Sequence, residues 1–189
     1  DLCPDCKRPV EKIKESNYFF KISAYQDWLL QYIKDHPDFI CPDSRRNEAL
    51  VFLEENKLND LCISRPKSRM SWGIPLPFSP DHVTYVWFDA LINYVSALSF
   101  PKERAKFEKF WPVVIHLIGK DILRQHTVFW PIMLKAVGLE PPKMVFAHGW
   151  WQMGSEKMSK SLGNVINPLD LIDEFGIDVY RYFLLREVP

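Results

Sequence analysis

From Val83 onward the chain alternates short apolar runs with helical stretches, and this alternation constrains the fold more than any other feature. Val83-Thr84-Tyr85-Val86-Trp87-Phe88 is rich in β-branched and aromatic residues and reads as a strand. Asp89 is expected to open a helix through Tyr94 to about Leu98, followed by a charged helix or loop from Lys102 to Lys109. Val113 to Ile118 reads as a buried strand that ends at Gly119-Lys120-Asp121, where a helix to about Val137 begins, disturbed by Pro131. Lys143 to Trp150 is a third strand. Strand, helix, strand, helix, strand in this rhythm implies an α/β protein with a doubly wound parallel sheet. Ligands of such sheets bind beyond the carboxyl ends of the strands, so Trp87–Asp89, Gly119–Asp121 and Gly149–Met153 should border one crevice.

The flanks are read from local signals. Residues 1 to about 20 form a short knuckle-like segment ending in Tyr18, Phe19 and Phe20. Ser23 followed by Gln26 resembles a capping box, and Trp28, Leu29, Tyr32 and Ile33 recur at helical spacing as far as His36-Pro37. A second helix starts after Cys41-Pro42, with Leu50, Phe52 and Leu53 on its buried side. The proline-rich passage from Ser64 to Pro80 reads as an ordered loop or short strand pair. Near the end, Asn167 caps a helix with Pro168 at its first position, Gly176 closes it, and Asp178 caps a last one.

Composition bounds the function classes. A length of 189 residues with 47% hydrophobic and 14% aromatic content supports a substantial core. Lys and Arg total 24 and Asp and Glu total 24, so bulk charge gives no support to nucleic-acid binding, and any such contact needs a local patch. No apolar run approaches a bilayer span, and no signal-peptide pattern opens the chain, which points to a cytoplasmic or organellar protein with no membrane partner.

Three motifs carry chemistry. Lys157-Met158-Ser159-Lys160-Ser161, between Gly154 and Gly163, sets two ammonium groups three residues apart in a hydroxyl-rich loop, so both can converge on one polyanion. Such cations lower the barrier of a phosphoryl or nucleotidyl transfer by meeting charge on the leaving phosphates; a solvated basic turn is the plainer alternative. At Gly119-Lys120-Asp121 a glycine permits close backbone approach, and an acid at a helix start can accept hydrogen bonds from a ribose. Ile122, Gln125, His126 and Phe129 follow on one helical stripe; alternatively Asp121 is an N-cap and His126 a satisfied core histidine. Cys3-Pro4-Asp5-Cys6 resembles half of a zinc knuckle, or else a redox pair, whereas Cys41 and Cys62 read as ordinary semi-buried thiols.

Taken in order, Val86 to Tyr94, Leu117 to Ile122, His126, Phe129-Trp130-Pro131 and Lys157 to Ser161 resemble the methionyl-tRNA synthetase family of the class I aminoacyl-tRNA synthetases. Ser64-Arg65-Pro66-Lys67 and Trp72-Gly73-Ile74-Pro75 are similar to its bacterial and organellar branch. The resemblance covers essentially the whole chain. It implies that Trp87, Ala90, Tyr94, Ile122 and His126 line a methionine pocket, fitting a thioether that favours soft aromatic neighbours. It further implies that Gly119 and Asp121 approach the adenosine ribose, that Lys157, Met158, Ser159, Lys160 and Ser161 bind ATP, with the two lysines on its phosphates, and that Arg65 lies near the active site. The implied reaction joins methionine to ATP in the presence of Mg²⁺ to give an adenylate, then passes the aminoacyl group to tRNA(Met). Zn²⁺ on Cys3 and Cys6 is the further metal to expect.

Two departures from the family pattern qualify this. The histidine-rich first signature is missing, and no anticodon-reading helical domain follows Glu187-Val188-Pro189. The chain is therefore expected to be an internal piece: a partial zinc-knuckle or connective insertion over 1–20, the second half of a Rossmann-like catalytic domain over 21–150, and the lysine loop with the start of a stem-contact region over 151–189. Alone it should not activate methionine. The rivals are a leucine, isoleucine or valine enzyme, against which Trp87 to Tyr94 argues, and a non-catalytic module that binds RNA or zinc.

Overall fold

The computed structural model describes residues 9–10, 14–150, 152–153, 156–158 and 165–187. Their elements run, in chain order, as strand β1 (Phe19–Phe20), helix α1 (Gln26–Asp35), β2 (Ile40–Cys41), α2 (Asp43–Glu55), β3 (Leu61–Cys62), β4 (Ser64–Pro66), β5 (Pro75–Leu76) and β6 (Ser79–Thr84). Then follow α3 (Val86–Ala90), α4 (Asn93–Ser96), α5 (Arg104–Phe110), β7 (Ile115–Gly119), α6 (Trp130–Ala136), β8 (Met144–His148), β9 (Gln152–Met153), β10 (Glu156–Lys157), α7 (Pro168–Phe175) and α8 (Ile177–Arg186). No helix among the described residues is long and apolar enough to cross a membrane.

A parallel sheet of three strands in the order β2-β8-β7 forms the centre, with Ile115 to Gly119 in register against Met144 to His148. Consecutive side chains of a strand point to opposite faces. On one face His116, Ile118, Val145 and Ala147 are buried; on the other Ile115 and Leu117 are exposed. The covered face packs on Leu29 and Ile33 of α1 and on Ala49 and Leu53 of α2, which recur at the four-residue spacing of one helical stripe. A second cluster gathers Leu91, Val95, Phe107, Trp111, Trp130 and Met133 beside it. The ion pair Lys34–Glu54 at 2.7 Å bridges α1 and α2 with both side chains about half exposed, so it adds little to this burial.

The expected parallel sheet is present, but its membership differs from the sequence reading. Val83 to Phe88 is not one of its strands. The strand stops at Thr84 and belongs to a separate antiparallel sheet, β4-β6-β5. Its end is fixed from outside: Thr84 donates through both its backbone N–H and its hydroxyl to the Ile74 carbonyl, and the Tyr85 N–H donates to Ile63. Beyond that point the Phe88 and Asp89 amides turn back to the Tyr85 carbonyl, so Trp87 and Asp89 lie on α3. Tertiary pairing here overrides the β-branched and aromatic composition. The third parallel partner is instead β2, only two residues long.

The capping box at Ser23 is also replaced. The Ser23 hydroxyl donates to Asp60 at 2.6 Å, and a 3₁₀ turn over Ile22–Tyr25 leads into α1 with no side-chain cap. Gln26 clamps the end of α2 instead, donating to the Leu53 and Asn56 carbonyls, both at 2.7 Å, and accepting from the Leu58 N–H. Asn167 does cap α7, accepting from the Leu169 N–H at 3.1 Å, with Gly176 at a φ of 85° closing it. Asp178 sits in the first turn of α8, not at its cap.

Candidate functional site

The segment after β7 positions the site. It begins as a 3₁₀ turn at Lys120–Ile122, widens into a π-helix at Gln125–Phe129 and becomes regular only in α6. Side chains account for the widening. The His126 ring and the Thr127 hydroxyl bond the Ile122 and Leu123 carbonyls, both at 2.9 Å, and so occupy the acceptors four residues back. Four residues after Thr127, Pro131 has no N–H to give, so an α-helical ladder through this stretch would be broken in any case. Single π-turns of this sort concentrate at functional positions.

His126 is the buried centre of the site, 2% exposed. Its Nδ1 faces only the Ile122 carbonyl, so Nδ1 carries the proton and donates, leaving Nε2 as the acceptor for the Tyr94 hydroxyl at 2.7 Å. Burial pushes its pKa below the ordinary histidine value, partly offset by the bond to Ile122. Burial likewise raises the Tyr94 phenol. At neutral pH the pair is uncharged, and both of its protons are already committed. The resulting surface is soft and aromatic and offers no free proton to a ligand.

Next to this pair stands His116, 3% exposed, which the sequence reading passed over as a strand residue. Its Nε2 accepts from the Trp130 indole N–H at 3.1 Å, and its ring lies 3.9 Å from that of Tyr94. Burial, then the neighbouring His126, brings its pKa down to about 4 from 6.5. The available signal was an inward-facing histidine in the otherwise apolar run Val113 to Ile118.

A pH dependence follows. Below the unfolded value of 6.5 the unfolded chain gains a proton at His116 that the folded ring refuses until about 4. The stability this group contributes is therefore full above that value and lost as pH falls toward about 4. Between about pH 7.5 and about pH 5 the loss is expected to reach about 2 kcal/mol. Urea unfolding at both pH values, in unmodified protein and in His116→Asn, isolates it; equal losses in the two proteins would refute the assignment.

The other expected residues fall into place around this centre. Gly119 and Asp121 are together: a Cβ added at Gly119 would sit 3.0 Å from Asp121 Oδ1, so only glycine leaves that carboxylate where it is. The Trp150 indole donates to the same oxygen at 2.9 Å, and the Lys120 ammonium lies 4.0 Å over the Trp150 ring, so the ends of β7 and β8 do meet. Asp121 is exposed and lies within the 3₁₀ turn Lys120–Ile122, whose N-cap is Gly119, so it is not the N-cap itself. Trp87 and Ala90 lie half-buried on α3, one short turn before Tyr94 on α4, with the Asn93 amide donating to the Ala90 carbonyl.

Arg65 is anchored to the antiparallel sheet by bonds to Cys62 Sγ at 3.1 Å and the Ser64 carbonyl at 2.8 Å, with its guanidinium 4.3 Å over Tyr85. None of these bonds reaches the Tyr94–His126 pair. Lys157 pairs with Gln152 in the β9–β10 hairpin. Ser159, Lys160 and Ser161 lie outside the described residues, as do Cys3 and Cys6. Among the described residues no group of three or more His, Cys, Asp or Glu could hold a metal ion.

Known proteins match this arrangement over nearly the whole chain. The family model described as tRNA synthetases class I (M) matches residues 2–189. The methionine–tRNA ligase of Clostridium perfringens is 57% identical across 99% of the chain, and that of Thermotoga maritima 52% identical across 99%. The chain spans only 29% of the length of each. Among solved structures, Mycobacterium tuberculosis methionyl-tRNA synthetase bound by methionyl-adenylate matches with a TM-score of 0.87 and 46% identity, over all of this chain and 36% of that one. The apo form of the same enzyme matches with a TM-score of 0.83 and 43% identity over the same shares. With a family model matching from residue 2 to the end and a mixed α/β fold built on the same parallel sheet, this chain belongs to the class I (M) tRNA synthetases.

Proposed function

We propose that this chain supplies the amino-acid pocket and part of the ATP site of a methionine–tRNA ligase. The observation that carries this reading is the Tyr94–His126 pair, a buried histidine and a half-buried phenol whose protons are spent on each other and on the Ile122 carbonyl, on the segment that opens with the exposed Asp121. A thioether accepts hydrogen bonds weakly and donates none, so it loses little by entering such a pocket. Trp87, Ala90 and Ile122 complete the wall. Gly119 and Asp121 meet the ribose, with the carboxylate as acceptor for its hydroxyls.

In the reaction, a methionine carboxylate oxygen attacks the α-phosphorus of ATP and pyrophosphate leaves. Lys157 and Lys160 meet the charge that grows on the leaving phosphates, and Met158, Ser159 and Ser161 shape the loop that carries them. Mg²⁺ enters with ATP as part of the substrate. A terminal hydroxyl of tRNA(Met) then attacks the acyl carbonyl and releases AMP. Cys3 and Cys6 enter no step of this scheme.

Two measurements test it. The full-length protein should exchange pyrophosphate into ATP with methionine and not with leucine, isoleucine or valine; exchange with one of those instead would reassign the pocket. In the same assay Ala90→Leu, which thrusts a larger side chain into the wall, should raise the methionine KM roughly tenfold or more and leave the ATP KM unchanged. An equal rise in both would make Ala90 part of the scaffold.

A further inference from the structure

The phenol of Tyr94 needs a cause for its orientation that its own backbone does not supply. Its helix, α4, is four residues long, follows α3 after two residues and has no side-chain cap. What holds the ring is a series of side chains from β7 and α6. Trp130, 2% exposed, donates its indole proton to His116 Nε2 at 3.1 Å. The His116 ring lies 3.9 Å from the Tyr94 ring at an interplanar angle of 34°. On the other side of the phenol, its hydroxyl reaches His126 at 2.7 Å.

Trp130 begins α6 and His116 sits within β7, so the stack is rooted in the two most regular elements near the site. The indole bond anchors the edge of the imidazole that carries Nε2, while a face of the same ring meets Tyr94. The platform thus holds the phenol where its proton meets His126 Nε2, the nitrogen that the Ile122 carbonyl leaves as the acceptor.

We propose that His116 is a positioning residue of the amino-acid pocket: its ring, packed against the phenol, is the platform that keeps the Tyr94 hydroxyl on His126. It touches neither the substrate nor the reacting atoms. This inference rests on the methionine reading above and deepens it, because the donor-free character of the pocket depends on that one bond.

Two replacements separate the ring from its hydrogen bond. His116→Phe keeps an aromatic platform and removes the acceptor for Trp130; His116→Asn keeps an acceptor and removes the platform. In ATP–pyrophosphate exchange by the full-length protein, His116→Asn should raise the methionine KM roughly tenfold to a hundredfold with the ATP KM unchanged. His116→Phe should stay within about threefold of the unmodified protein in methionine KM while melting at a lower temperature, since the indole proton is left unpaired. Combining His116→Asn with Tyr94→Phe should cost no more methionine affinity than Tyr94→Phe alone, because both act on one bond.

The reverse pattern, with His116→Phe impaired and His116→Asn near normal, would overturn the proposal and make His116 an anchor for Trp130 only. Additive losses in the double variant would also overturn it. If the unmodified protein exchanges no pyrophosphate with methionine, the functional reading itself falls, and the role of His116 falls with it.

Discussion

Trp130→Ala is expected to lower stability by about 3–5 kcal/mol, the largest folding defect of any single change in this region. The indole is 2% exposed at the centre of the second core cluster, with Trp111 at 6.2 Å and Tyr94 at 5.9 Å. Truncation removes this aromatic area and leaves a hole. It also strips His116 Nε2, on a buried ring, of the indole donor, and an unmet buried acceptor carries its own penalty. Refilling from the side is blocked. Trp130 forms part of the wall of an apolar groove of about 340 Å³ lined by Phe20, Phe88, Ile92 and Met133, so the deletion enlarges an existing space that no side chain fills. Trp130→Phe keeps most of the apolar area and should lose less than half as much. Urea midpoints for the two variants in the full-length protein measure this; a loss below about 1 kcal/mol in Trp130→Ala would mean that the cluster closes over the gap.

What could be read from the sequence was what local chemistry determines. The α7 cap is an example: Asn167 and Pro168 are adjacent, the bond spans two residues, and nothing distant competes. The strands ending at Gly119 and His148 were legible for a similar reason, as apolar stretches, although the first starts only at Ile115 and buries one face, leaving Ile115 and Leu117 exposed where a fully buried strand was expected. Where the reading failed, a distant partner decided. Val86 to Ala90 has strand composition, yet the ladder is ended by Ile63 and Ile74, more than ten residues upstream of that segment, and the chain coils into α3. Ser23 has a capping sequence, yet Asp60, 37 residues away, takes its hydroxyl. The two-residue strand β2 carries no pattern at all and joins the sheet only because Ile40 can bury itself beside Val145.

The same division runs through the site. Asp121 beside Gly119 is a local arrangement, and the proximity of the two was visible from spacing. The Tyr94–His126 bond spans 32 positions and the Trp130–His116 bond 14, so neither is encoded in any single window of sequence. Tyr94 and His126 were nevertheless named, because the resemblance to a known family carries long-range information that periodicity lacks. His116 belongs to no quoted motif role and was missed, although it turned out to join the two histidine-bearing elements through Tyr94.

Lys160→Ala is expected to slow adenylate formation by a factor of roughly 10² to 10³, the loss of about 3–4 kcal/mol of transition-state stabilisation that one charge donor supplies. The reason lies in when the charge would appear. In the proposed reaction the ion brought with ATP already neutralises the phosphates in part before the bond to pyrophosphate breaks, and an additional cation matters only as new charge grows on the leaving oxygens. An interaction confined to the transition state lowers kcat and kcat/KM together and leaves ground-state binding nearly unchanged. The methionine KM should therefore stay within about threefold, since the Tyr94–His126 pocket is built from other elements. Lys157 pairs with Gln152 in the β9–β10 hairpin, and on the proposed reading it serves ATP binding as well as the reaction step. Lys157→Ala should consequently raise the ATP KM as well as lower the rate. Single-turnover formation of the adenylate by the full-length variants decides between these roles. A normal rate in Lys160→Ala combined with a raised methionine KM would remove the lysine from phosphate chemistry and place it at the amino-acid pocket instead.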